Sequence, residues 1–273
     1  MSSGMPLPRP VVVPPSPWEF PEPDELDLAN GVRVLAYDMP GQYVLSVRVA
    51  VPMPVSREPF LLEGVGTIMA RCLDEGTARH DSREIAELLE RRGVSLDAGV
   101  GEAGLTVSME VAKPHLDYGL DMMRECLLEA SFPEFEVDRH VRTRLQDIEQ
   151  ERANPSSRAA VEFIKTYFDS TQRASRPTAG SVDTVSAITA EEVRRYHSLE
   201  VGPLGTTVTI AGDFAGIDPG RAVAAALGEW TGGRQPAPDL RGVAAQRADD
   251  AERVVFVDRP GSVQTEFYVG CPG

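Results

Sequence analysis

Between Leu61 and Thr77 the chain carries an apolar repeat that only one kind of element satisfies. Leu61, Val65, Ile68, Met69 and Cys72 recur at i, i+4, i+7, i+8 and i+11. That spacing lines one side of an α-helix and buries it against a core. Glu63, Thr67, Ala70, Arg71 and Asp74 fall on the other side, and Gly76 stands where the helix is expected to stop.

The elements around this helix predict its setting. Asn30-Gly31 between two apolar runs, Asp24 to Ala29 and Val32 to Tyr37, predicts a hairpin. Tyr43 to Val51 alternates as a third strand. Ser82 caps a helix through Arg92 that Gly93 ends, and Val94 to Gly101 and Leu105 to Val111 follow as paired strands. Pro114 opens a helix through Glu129 with Leu116, Leu120, Met123 and Leu127 as its stripe. Pro133 opens another to Ala153, built on Val137, Val141, Leu145 and Ile148, and Pro155 breaks it before a helix over residues 156–169. Thr189 starts a helix to Leu199, Thr206 to Ala211 is a strand, and Pro219 to Leu227 is a last helix. Consecutive strands form hairpins, so the fold class is α+β, with a mainly antiparallel sheet layered against packed helices.

The flanks differ in composition. Residues 1–23 are rich in proline and serine and read as an extended N-terminal arm without the apolar core of a signal peptide. Residues 24–230 form the α+β domain, and 231–251 lack periodicity and read as a linker. Two further strands, Arg253 to Asp258 and Val263 to Val269 around Arg259-Pro260-Gly261-Ser262, are expected to start a truncated second domain over 252–273, since two strands hold no core alone.

Charge and cysteine usage narrow the function classes. The 273 residues hold 42 acidic and 27 basic side chains, a net charge of -15 that repels nucleic acid and anionic membrane surfaces. No run approaches the ~18 apolar residues of a membrane span. Cys72, Cys126 and Cys271 are odd in number and far apart, and the first two sit in apolar stripes. Buried thiols and a cytoplasmic location are the expectation. His80, His115, His140 and His197 make no metal-ligand spacing of their own, and His80 is expected to be exposed. No Gly-x-Ser-x-Gly, phosphate loop or dinucleotide fingerprint is present.

The frame around the opening helix, Gly64 through Gly76-Thr77, resembles the zinc-binding helix of the pitrilysin, insulinase and mitochondrial processing peptidase family. There the stretch reads Gly-Leu-Ala-His-x-x-Glu-His-x-x-x-x-Gly-Thr, the inverted zincin motif. Two imidazoles one turn apart converge on one ion and the glutamate activates its water. The first histidine falls on Thr67, the glutamate on Ala70 and the second histidine on Arg71. Further pieces resemble the family in the same order: Asn30-Gly31-Val32-Arg33-Val34, Ser82 to Leu96, Arg176 to Ser181 with Ile188 to Glu192, Val208 to Asp213, and Val257 to Thr265.

The resemblance implies a layered domain followed by a second, homologous one. It implies a third zinc ligand 76 positions after Arg71, where Asp147 stands, with His140 at the place of another family glutamate. Asp147 is either the shortened remnant of that ligand or a solvated helix residue. With no catalytic residue and no metal ligand set in place, the chain reads as a non-catalytic subunit. A catalytic homologue would carry the zinc and form a hetero-oligomer with it. Peptide substrate would add as a strand along Val94 to Val100. The alternatives are a structural or assembly protein of the same fold, or a peptidase with a metal site relocated to His140 and Asp147. If the two helices keep the family's packing, Arg71 and Asp147 meet as a charge pair, with Arg144 as the local rival for the carboxylate.

Overall fold

The Asn-Gly turn sets one edge of the sheet. Strands β1 (Asp24–Asp27) and β2 (Arg33–Asp38) pair antiparallel across it. Gly31 takes φ 90° there, a left-handed conformation that a side chain resists. The computed structural model of the chain describes residues 19–234 and 254–271. Within them, β3 (Val44–Val51), β4 (Ser95–Gly101), β5 (Gly104–Ala112) and β6 (Thr207–Gly212) complete a six-stranded sheet of order β1-β2-β6-β3-β5-β4. Only the β2–β6 pair is parallel. The sheet is therefore mainly antiparallel, in agreement with the α+β reading.

Alternation along the strands gives the sheet two different faces. Leu45, Val47, Val49 and Val51 of β3 are buried, while Val44, Ser46, Arg48 and Ala50 between them are exposed. Register carries the buried set sideways: Val49 stands beside Val208 and Val107, and Val34 beside Val208. The core builds on that face from Val34, Val208, Ile210, Val107 and Met109, with helix residues packed over them.

The helices are α1 (Val65–Arg71), α2 (Ser82–Glu90), α3 (Leu116–Leu128), α4 (Glu134–Ala153), α5 (Pro155–Tyr167), α6 (Val182–Ser186), α7 (Ala190–Glu200) and α8 (Pro219–Leu227). Leu116, Leu120, Met123 and Leu127 of α3 are all buried, as their spacing requires. In α4, Val137 and Ile148 are buried and Val141 and Leu145 pack at the core's margin. Asn154 ends α4 and its side chain caps α5, accepting from Ser157 N at 3.0 Å.

Three expectations change. Helix α1 is shorter than the apolar repeat suggests: it starts at Val65 and ends at Arg71. Leu61, counted on the stripe, is 72% exposed in a separate 3-10 turn, whereas Glu63 and Ala70, read as outward, are buried. The chain after Arg71 tightens into turns because Gly76 and Thr77 are drawn into bridging contacts. Gly76 O accepts from Ser131 N at 3.0 Å, and Thr77 pairs with Ala130. The cap of α2 is Asp81 and not Ser82, through a capping box in which Asp81 and Glu84 bond each other's backbone N–H.

The third concerns the strands expected near the end. Residues 254–271 contain the turn closed by Ser262 N on Arg259 O at 3.2 Å, but none of these eighteen residues belongs to a strand. Phe256, Val263, Phe267 and Val269 stay exposed, because two short segments offer too little apolar surface to each other. The contact this segment does make is with α5, where Tyr268 packs on Phe163 at 6.2 Å and its hydroxyl lies 3.3 Å from Ser156 Oγ. Most of the arm (residues 1–18), most of the linker (235–251) and Arg253 lie outside the described residues.

Cys72 and Cys126 are buried and Cys271 is exposed. Burial pushes both inner thiols up to about 12. Among the described residues no helix is long and apolar enough to cross a membrane.

Candidate functional site

Helix α1 is fixed from its N-terminal end. Gly64 caps it at φ 97°, and Gly66 packs without a side chain against Glu58, Tyr196 and Val100 of β4. The free amides of this first turn are met by a buried carboxylate. Glu58 accepts from Gly64 N at 3.1 Å and from Gly66 N at 3.0 Å, and Arg173 Nη2 approaches it at 3.2 Å. Burial pushes the Glu58 carboxyl above the usual range, against the pull of the two amides and Arg173. Glu63, also buried, accepts from Arg176 Nε at 2.9 Å, and Arg173 holds the carbonyls of Pro177 and Thr178. Together these contacts tie the loop over residues 173–180 to the start of α1.

With its other residues buried, α1 leaves Thr67 and Arg71 partly open, one turn apart. Ala70 is buried between them. Arg71 Nη1 and Nη2 both lie 3.0 Å from Asp147 Oδ2 on α4, and the two side chains are 34% and 33% exposed. Arg144 does not compete for Asp147. It is buried, bonds Glu151 at 2.6 and 3.1 Å, and donates to Ala179 O at 3.1 Å. His140 goes elsewhere too: its Nε2 lies 2.8 Å from Glu75 Oε1, which Arg139 also holds while bonding Glu136. His140 and Asp147 therefore have separate partners on the α1 side.

These residues do not fit a zinc ion. Alanine has no donor atom and a guanidinium is permanently cationic, so only Thr67 and Asp147 offer oxygen at the places in question. Among the described residues no group of three or more His, Cys, Asp or Glu side chains is placed to hold a metal ion.

Beside α1 runs the free edge of the sheet. Among the described residues strand β4 pairs only with β5, and Gly99 and Gly101 face open space. The expected peptide-binding stretch, Val94 to Val100, is this edge. A second cluster was not legible in the sequence. His80 is half-buried, with Nδ1 2.8 Å from Glu125 Oε1, and Thr77 Oγ1 and Arg79 Nη2 reach the same carboxylate at 2.5 and 2.6 Å. Burial raises the Glu125 carboxyl, but the bonds from Thr77 and His80 and the Arg79 charge outweigh it, so Glu125 titrates below the usual range. Nothing in the spacing links position 125 to 77 and 80; the connection exists only through the fold.

The profile of the Insulinase family (Peptidase family M16) matches residues 33–181, more than half of the chain. The chain belongs to the M16 family. Among the relatives it matches, one named as a zinc protease from Streptomyces coelicolor is 23% identical over 248 residues, covering 90% of this chain and 54% of its own length. Another, from Rickettsia felis, is 24% identical over 188 residues, 68% of this chain and 45% of its own. The chain thus spans about half the length of the relatives it matches.

Solved structures give the same fold. The peptidase M16 inactive domain from Pseudomonas fluorescens superposes with a TM-score of 0.72 at 20% identity, covering 79% of this chain and 52% of that one. A protease from Helicobacter pylori superposes with 0.70 at 16% identity, covering 80% and 52%. At these identities the likeness establishes the M16 fold.

Proposed function

We propose that this chain is a non-catalytic M16 subunit that pairs with a zinc-bearing homologue and holds peptide for it. The observation that carries the reading is the Arg71–Asp147 pair. A covalently attached cation stands against the carboxylate where the family's motif calls for a metal ligand, which leaves no place for zinc and no base beside it. Metal-dependent hydrolysis needs both. The free β4 edge next to this helix supports peptide binding by strand addition. The greater length of the relatives supports a second unit opening near residue 252. Two buried thiols accord with the cytoplasm.

The test is reconstitution with an M16 homologue that has an intact His-x-x-Glu-His helix. The two chains are expected to co-purify, and peptide cleavage is expected from the mixture and not from this chain alone. Activity of the mixture equal to that of the homologue alone would leave a structural or assembly role. Metal-dependent turnover by this chain alone, abolished by His140→Ala or Asp147→Ala, would overturn the reading in favour of a relocated site.

A further inference from the structure

A hollow of about 400 Å³ opens where the turn after α1 meets the start of α4, bounded by Glu75, Arg79, His80, Asp81, Phe135 and Glu136. His80 is fixed in it from behind. Its Nδ1 lies 2.8 Å from Oε1 of Glu125, whose side chain is only 2% exposed and is also held by Thr77 and Arg79. That carboxylate titrates below the usual range, so at neutral pH it is ionised and can only accept. In the neutral ring the proton therefore sits on Nδ1, and Nε2, on the opposite edge of the imidazole, carries a bare lone pair. Phe135 stands in the wall with 70% of its surface exposed.

Charge decides what such a hollow takes. The carboxylates of Glu75, Asp81, Glu125, Glu129 and Glu136 meet three guanidiniums, those of Arg79, Arg124 and Arg139, which leaves two negative charges over. That surplus, on a chain of net charge -15, favours a cation. Among the described residues no group is placed to hold a metal ion, so the cation is organic. A guanidinium is already in place, since Arg139 spans Glu75 and Glu136. An ammonium is compact and can direct one N–H to a single lone pair, while an aromatic ring attracts its charge and covers its methylenes. We propose that this hollow is a docking site for an alkylammonium group, the lysine side chain of a partner protein. The ammonium donates to His80 Nε2, its stem lies on Phe135, and Asp81 and the surplus charge balance it. Glu125 and Thr77 are positioning residues that hold the imidazole. The site uses neither Thr67, Arg71 and Asp147 nor the β4 edge, so it stands apart from the peptide-holding reading above.

Long-range ¹H–¹⁵N spectra of the full chain labelled with ¹⁵N-histidine test this, with His80→Gln identifying the His80 signals. The free protein is expected to show His80 protonated on Nδ1 and bare on Nε2. N-acetyl-lysine methylamide is expected to shift the Nε2 signal saturably, N-acetyl-arginine methylamide to bind about ten-fold more weakly, and the neutral N-acetyl-norleucine methylamide to leave it unmoved. Phe135→Ala is expected to weaken lysine binding about three-fold. Asp81→Asn, which keeps the cap of α2 and removes its charge, is expected to do the same. A neutral ring protonated on Nε2, no saturable shift, equal response to lysine and norleucine, or unchanged binding in both variants would overturn the site. Arginine binding as tightly as lysine overturns the ammonium assignment. Binding of n-butylammonium chloride without binding of the lysine derivative overturns the partner side chain in favour of a small free amine.

Discussion

Glu58 closes the N-terminal end of α1: one carboxylate oxygen accepts from Gly66 N at 3.0 Å and the other from Gly64 N at 3.1 Å. Glu58→Gln keeps the size but replaces one acceptor with a donor, orphaning one buried amide. The expected loss is about 2 kcal/mol in chemical denaturation at neutral pH.

The same residue sets a pH slope. Its folded carboxyl titrates above the unfolded one, so its contribution is full below the ordinary glutamate range and is lost as pH rises through the raised value. The wild-type advantage over Glu58→Gln is expected to widen as pH falls from 7 toward that range. An advantage that stays constant, or that narrows, would show that burial does not govern this carboxyl.

Asp213 gives the opposite slope. Lys113 Nζ at 2.7 Å, Gly41 N at 2.8 Å and Ala215 N at 2.9 Å hold its carboxyl down to about 2. Its contribution is present above the ordinary aspartate range and is lost as pH falls toward about 2. In thermal melts the wild type is expected to exceed Asp213→Asn above that range and to converge with it in strong acid. Parallel curves over the whole acid range would contradict this.

The ion pairs of α4 are expected to differ in weight. Arg71 and Asp147 are partly solvated, so a double-mutant cycle is expected to return about 1 kcal/mol, the upper end for an exposed pair. Arg144 is buried and also holds Ala179 O, so Arg144→Ala is expected to cost more, about 2 kcal/mol. The reverse order would mean that the α1–α4 contact carries more stability than its solvent exposure allows.

Metal uptake follows from the donor set. The unaltered chain is expected to hold no stoichiometric zinc. The variant Thr67→His, Ala70→Glu, Arg71→His, Asp147→Glu restores two imidazoles and a full-length carboxylate and is expected to take up one ion per chain. Elemental analysis of both proteins checks this; one zinc in the unaltered chain would refute it.

The sequence was a good guide where periodicity and punctuation act locally. The Asn30-Gly31 hairpin, α4 between Pro133 and Pro155, and α8 from Pro219 all form where those residues direct. It misled at α1, because the apolar repeat continues through residues that other segments capture: Leu61 belongs to a separate turn, and Gly76 to the contacts with Ser131. Replacement of the motif residues was legible from position alone. The network around Glu58 was not, since Arg173 lies 115 residues away and no local pattern marks a carboxylate that will end up under a helix. The Glu125 cluster was hidden for the same reason.

The place of β6 bears on the order in which the protein assembles. It sits between β2 and β3, yet residues 207–212 are made long after both neighbours. A ribosome adding roughly 5–20 residues per second leaves β2 without its inner partner for roughly ten to thirty seconds. Until β6 is made, the β1–β2 hairpin and the strands β3, β5 and β4 have no strand that joins them into one sheet. The facing edges of β2 and β3 stay unpaired for that time, and an unpaired edge is where a nascent sheet mispairs.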